Sequence, residues 1–225
     1  MIFKMITLKN IKKSYYIASQ EYCVLNNINL NISQWEYVSI MGPSGSWKST
    51  LMNIIWLLDT ADSGEYILEN QRLDDKKESI RGGIRREKIW FIFQNYSLIP
   101  RMNVLEQVKL PLIYQWVSNK VATQRANEAL NQVWLDGKQQ NMPNEISGWQ
   151  KQRVAIARAL VISPKIMLAD EPTWALDTKT SDEIMDLFEQ LNKDGKTIII
   201  VTHENEIAQR TKRTITVRDG NIINA

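Results

Sequence analysis

Residues 41–50 read MGPSGSWKST and follow the short apolar run 37–40. Gly42, Lys48 and Ser49 match the phosphate-binding pattern G-x-x-x-x-G-K-[ST], and Trp47 stands where its last glycine belongs. In such a loop, successive backbone N–H groups point at phosphate oxygens. The helix that follows adds a dipole favouring anions. The expected cradle is Gly42, Pro43, Ser44, Gly45, Ser46, Trp47, Lys48, Ser49 and Thr50. Lys48 would reach the β and γ phosphates, and the Ser49 hydroxyl would ligate Mg²⁺.

The loop needs a strand before it and a helix after it. Residues 37–41 read as the strand and 48–58 as the helix. Upstream, Ile28, Leu30 and Ile32 alternate with asparagine, the period of a half-buried strand. Downstream, 61–87 read as a short hairpin followed by a solvated charged loop, DDKKESIRGGIRRE. A buried strand over 88–93 ends at Gln94. Helical patterning over 104–135 is expected to break near Pro111 and near 117–120. A helix over 148–161 follows, with Val154, Ala157 and Val161 on one face. An apolar run, 166–169, closes on Asp170 and Glu171. Then come a helix over about 178–194, a strand over 197–201, His203, and a terminal hairpin turning at Asp219-Gly220. Strands alternating with helices predict an α/β fold with a mainly parallel sheet.

Composition sets bounds. The chain has 225 residues, enough for one domain with a full core. At 44% hydrophobic and 24% charged, it has an ordinary globular balance. A net charge of +3 is too small to argue for nucleic acid. The single cysteine, Cys23, cannot form an internal disulfide and reads as an inert packing residue in a reducing compartment. The sequence has no apolar run of membrane-spanning length and no signal-peptide pattern at its start.

The phosphate loop is only the first of several motifs in order. Gln94 ends a strand after FIF; Ser147-Gly148-Trp149-Gln150 opens the helix QRVAIARAL; Asp170-Glu171 ends a buried strand; Ala175-Leu176-Asp177 follows; His203 ends the next strand. In this combination, from about Met5 onward, the chain resembles the ATP-binding subunit of an ABC transporter, closest to the branch of MacB, LolD and FtsE. The resemblance implies a P-loop NTPase fold in a single domain, 1–225. It implies a mainly parallel core sheet, an N-terminal antiparallel β subdomain and a helical signature subdomain over about 95–160.

It also implies roles. Glu171 is the general base, His203 contacts the γ-phosphate, Gln94 senses Mg²⁺ and water, and Asp170 joins Ser49 and Gln94 around Mg²⁺. Lys48 completes the catalytic set. Tyr15 stacks on adenine, with Tyr16 as its rival. Ser147, Gly148 and Gln150 complete the ATP site of the opposite subunit in a head-to-tail homodimer, and Asp177 lies at the dimer contact. The implied partner is an integral-membrane permease on a separate chain, contacted through the segment after Gln94. The implied location is cytoplasmic, at the inner face of the cell membrane. ATP and Mg²⁺ are the expected cofactors. An FtsE-like role in cell division and a catalytically impaired nucleotide binder are the alternatives.

The impaired reading follows from the tryptophans. The chain has 8 Trp and only 9 Gly, where glycine averages about 7% of residues. Trp47 and Trp149 replace glycines of the phosphate loop and the signature. Trp35, Trp56, Trp90, Trp116, Trp134 and Trp174 also fall where the family has glycine. Real tryptophans at left-handed backbone positions would each cost roughly 1–2 kcal/mol, with crowding added, against a total stability of about 5–15 kcal/mol. Eight glycine codons translated with the wrong table would explain the pattern.

Overall fold

A computed structural model describes residues 3–224. The elements in chain order are β1 (Lys4–Ile17), β2 (Gln20–Ser33), β3 (Tyr37–Met41), α1 (Lys48–Ile55), β4 (Ser63–Leu68), β5 (Gln71–Arg72), α2 (Glu78–Lys88), β6 (Ile89–Ile92), α3 (Val104–Tyr114), α4 (Asn119–Gln132), α5 (Gly148–Leu160), β7 (Ile166–Asp170), α6 (Thr178–Lys193), β8 (Thr197–Thr202), α7 (Asn205–Gln209), β9 (Arg213–Arg218) and β10 (Asn221–Asn224).

They form two sheets. One is antiparallel, in the order β2-β1-β4-β5. The other runs β10-β9-β3-β8-β7-β6 and is parallel except for its edge strand β10. The parallel strands are apolar on both faces because both faces are covered. In β7 and β8, Met167, Ala169, Ile198 and Ile200 pack into a core built with α3 to α6. Ile166, Leu168, Ile199 and Val201 point the other way, into a core shared with α1 and the antiparallel sheet.

The expected strands fall on β2, β3, β6, β7, β8 and the terminal hairpin. Four local expectations need correction. The charged stretch 74–87 is not all loop, because everything from Glu78 onward forms α2. Glu78 accepts hydrogen bonds from Arg81 and Arg85 at 2.6 Å each, and Ile84 is buried. Arg85, Arg86 and Lys88 in the last turn interact favourably with the negative end of the helix dipole.

Pro111 lies inside α3 and does not break it. An interior proline costs about 3 kcal/mol or more. Full burial of a Val or Leu side chain returns about 1.5–3 kcal/mol, and Val104, Val108 and Leu112 are all buried on that helix. A capping box between Asn103 and Glu106 fixes its start. Helix α1 stops at Ile55, short of residue 58, because Leu57 turns to φ 62°. Cys23 is exposed, not packed. Helix α7 carries no clear sequence signal, being only five residues long.

Among the described residues, no helix is long and apolar enough to cross a membrane.

Candidate functional site

Strand register assembles the site. Met41 pairs with Thr202, Asp170 with Val201, and Ile92 with Ala169, so the C-terminal ends of β3, β8, β7 and β6 lie along one edge. The residues just beyond those ends are the phosphate loop, His203, Glu171 and Gln94. Ligands of open parallel α/β sheets bind at this edge. A cleft of about 550 Å³ opens there, and its lining includes Ser49, Gln94, Asp170, Glu171 and His203 as well as residues 44–48 and Thr50. Gly42 and Pro43 line a neighbouring cavity that shares Ser44 and His203 with it.

The loop is closed on itself. Lys48 Nζ donates to the carbonyl oxygens of Gly42 at 2.6 Å and Pro43 at 2.9 Å. Burial lowers its pKa, while Glu171 and Asp170 oppose that shift. Gly42 is buried against β9, and a Cβ there would meet the Val217 carbonyl oxygen at 2.1 Å. At the N-cap of α1, Trp47 adopts φ 68° and ψ 22° and makes no side-chain capping bond.

Asp170 is pushed up to about 6 by burial first and by the neighbouring Glu171 charge second, with Lys48 acting the other way. Glu171 is 9% exposed and takes φ 44°. Its backbone N–H donates to the Val201 carbonyl at 2.8 Å, tying the turn to β8. The carboxylate accepts from Thr202 Oγ1 at 3.0 Å and from the His203 backbone N–H at 3.1 Å, and it lies 2.6 Å from His203 Nδ1. The His203 pKa is raised by that hydrogen bond. Thr202 was not singled out from the sequence. Its place directly before His203, at a strand end, was the available signal.

The three candidate Mg²⁺ ligands share the cleft, and all offer oxygen: a hydroxyl, an amide and a carboxylate. That donor set fits Mg²⁺, which takes few protein ligands and completes its shell with phosphates and water. Among the described residues, no group of three or more His, Cys, Asp or Glu could hold a metal by itself.

Tyr15 is held beside the cleft. Its hydroxyl donates to Asp59 Oδ2 at 2.9 Å, and Lys13 bonds the other oxygen at 2.8 Å. Burial and Asp59 raise its pKa, while the nearby Thr50 and Lys13 act the other way. Tyr16 points away, 72% exposed and paired across the strand with Glu21. Asp59, which orients Tyr15, carried no sequence signal.

Ser147, Gly148 and Gln150 do not line the cleft. They open α5, where the Ser147 hydroxyl accepts from the Gln150 N–H and the Gln150 side chain accepts from the Ser147 N–H. Asp177 caps α6, accepting from the Thr180 N–H at 3.1 Å.

Residues 25–174 match the ABC transporter family. The chain is 52% identical to an uncharacterized ABC transporter ATP-binding protein, YknY of Bacillus subtilis, over 98% of this chain and 96% of that one. It is 45% identical to the macrolide export ATP-binding/permease protein MacB of Bdellovibrio bacteriovorus, covering 96% of this chain but 33% of MacB. In structure it is similar to the dimeric ATP-binding cassette MJ0796, solved in a post-hydrolysis state with ADP and Pi. The TM-score is 0.89 at 45% identity, over 98% of this chain and 97% of that one. MJ0796 comes from Methanocaldococcus jannaschii.

Proposed function

Because the chain belongs to the ABC transporter family as an ATP-binding subunit, we propose that it drives a membrane permease by hydrolysing ATP in the cleft at the ends of β3, β7 and β8. It is an ATPase of the export branch that includes MacB and MJ0796. The observation that carries the site assignment is the convergence of the phosphate loop with Gln94, Asp170, Glu171 and His203 on one cleft.

In this reading, the loop N–H groups, the α1 dipole and Lys48 bind the β and γ phosphates. Glu171 accepts a proton from water, whose oxygen attacks the γ-phosphorus. The bond to the β–γ bridging oxygen breaks, and ADP and phosphate leave. His203, anchored on Glu171, contacts the γ-phosphate. Gln94 orients the water and reports to the permease. Ser49, Gln94 and Asp170 would hold Mg²⁺, which neutralises charge on the phosphates. Tyr15 stacks on adenine.

The signature residues lie outside the cleft of their own chain, which supports a head-to-tail dimer. There, Ser147, Gly148 and Gln150 face the partner's γ-phosphate and Asp177 lies near the contact. The permease places the dimer at the inner face of the cell membrane. No residue of the site favours a cell-division role over transport.

The test is Mg²⁺-dependent ATP hydrolysis by the purified protein, together with its isolation in complex with a multi-span membrane protein. Absence of hydrolysis in the complex would refute the reading.

A further inference from the structure

We infer that the cell builds glycine at the eight positions written here as tryptophan, reading the codon UGA as glycine at each. The backbone carries this inference independently of the ATPase reading. Trp35, Trp47, Trp116 and Trp134 have φ of 63°, 68°, 59° and 55°. A bulky residue with positive φ is an outlier, whereas glycine adopts it freely. Half of the tryptophans therefore sit in the left-handed region, close to the share of glycines, of which Gly45, Gly64, Gly137, Gly195 and Gly220 do so among nine. Of the seven tyrosines and four phenylalanines, only Tyr96 does. By backbone, the tryptophans sort with glycine and not with the other aromatic residues.

Their surroundings agree. Those four and Trp174 are exposed, up to 94% at Trp116, although tryptophan is highly buried on average. Trp90 is half-buried, and its indole N–H is buried without a hydrogen-bond partner, where a buried tryptophan N–H ordinarily finds one. The left-handed tryptophans also stand at helix ends or in a turn. Trp116 and Trp134 stand just after α3 and α4, the C-terminal position that glycine favours. Trp47 is the N-cap of α1 and makes no capping bond.

Some indoles do make contacts. Trp56 stacks on Phe91 at 4.4 Å, and the Arg153 guanidinium lies 4.8 Å from the Trp134 ring centroid and 4.9 Å from that of Trp149. Arg153 is nevertheless fixed without them, by the Val133 carbonyl at 3.1 Å and by Glu183 at 2.9 Å. These contacts do not account for four left-handed backbones. One codon rule accounts for all eight positions. It also restores the phosphate loop to G-x-x-x-x-G-K-S and removes a large side chain from the cleft lining.

The test is peptide mass spectrometry on the protein isolated from the cells that carry the gene. Glycine is expected in every peptide spanning the eight positions, with UGA at every codon. Tryptophan at any of the eight, or a UGG codon, overturns the rule. Two recombinant chains provide a second readout, one with literal tryptophan and one with all eight changed, Trp47→Gly among them. The glycine form is expected to melt at higher temperature and to bind a fluorescent ATP analogue at least tenfold tighter. Equal melting and equal binding of the two forms would overturn the inference. The mass readout does not depend on ATP hydrolysis, so its failure is distinct from failure of the ATPase assignment.

Discussion

Glu171 and His203 are joined twice. The Glu171 Oε1 accepts the His203 backbone N–H at 3.1 Å and lies 2.6 Å from the ring Nδ1. The backbone bond fixes where the imidazole starts, and the ring contact fixes its orientation. With Nδ1 engaged, Nε2 is the nitrogen left for substrate. Thr202 holds the second carboxylate oxygen, so the proposed base is oriented by both residues at the end of β8.

His203 is the only histidine in the chain, so its titration is a clean readout. The hydrogen bond that His203 Nδ1 donates to the Glu171 carboxylate favours the protonated ring and raises the pKa above the ordinary value of about 6.5. Stability from this pair is fully present below the unfolded pKa and is lost as pH rises through the raised folded value. In Mg²⁺-free buffer, the ring protons followed by NMR should titrate above the ordinary value in the parent chain. They should move back toward it in Glu171→Gln. An unchanged midpoint in the variant would remove Glu171 as the cause.

The same substitution tests the chemistry. Losing a general base costs typically about 10²–10⁴-fold in rate. Glutamine keeps the shape of the side chain, so Glu171→Gln should retain ATP binding while turnover falls by about that factor. Single-turnover kinetics beside equilibrium binding separate the two. A native rate in the variant would rule Glu171 out as base.

Lys48 bonds two carbonyls of its own loop, and burial lowers its pKa. Its charge-assisted contacts to phosphate should contribute about 1.5–3 kcal/mol. Lys48→Ala should therefore weaken ATP binding by roughly tenfold to a hundredfold or more, measured by calorimetry. Lys48→Arg should not restore it, because a planar fork does not replace a compact point charge among converging loop carbonyls.

Glu69 links the two sheets. It turns between β4 and β5, and its two oxygens take Lys165 at 2.5 Å and Lys88 at 2.6 Å. Those partners hold its carboxyl below the usual range against the effect of burial. The stabilisation is present above the unfolded glutamate pKa and is lost as pH falls through the depressed folded value. Glu69→Gln should lower the melting temperature near neutral pH, and the difference from the parent should shrink in acid. A constant difference across that range would mean that the two lysines are not responsible.

Much of the fold was legible because its parallel strands are short apolar runs that end on chemistry. Residues 37–41 lead into the loop, 166–170 into Glu171, and 197–202 into His203. The strand that contains each motif thus also fixes its place on the sheet edge. Helix α2 was not legible, since its stabilising features are ion pairs around Glu78 and one buried isoleucine, and Gly82-Gly83 interrupt its pattern. The Pro111 signal was misleading because packing along α3 outweighs the missing hydrogen bond. Asp59 was invisible for a different reason. Its role depends on β1 crossing near the end of α1, a contact between distant residues that periodicity does not encode.

That contact yields the last prediction. Asp59, just past the end of α1, and Lys13 hold Tyr15 in place, while Tyr16 on the opposite side of the strand is exposed. Stacking of an aromatic ring on a base is worth about 1–3 kcal/mol by alanine substitution. Tyr15→Ala should weaken ATP binding by roughly fivefold to 150-fold at that energy. Tyr15→Phe keeps the stacking face and loses only the bond to Asp59, so it should bind nearly as well. Tyr16→Ala should have no effect. Binding of ATP and of inorganic triphosphate to all three variants decides the matter, since triphosphate lacks the base and should bind Tyr15→Ala and the parent equally. If Tyr16→Ala weakens ATP binding and Tyr15→Ala does not, the adenine lies on the opposite side of β1 from the one proposed.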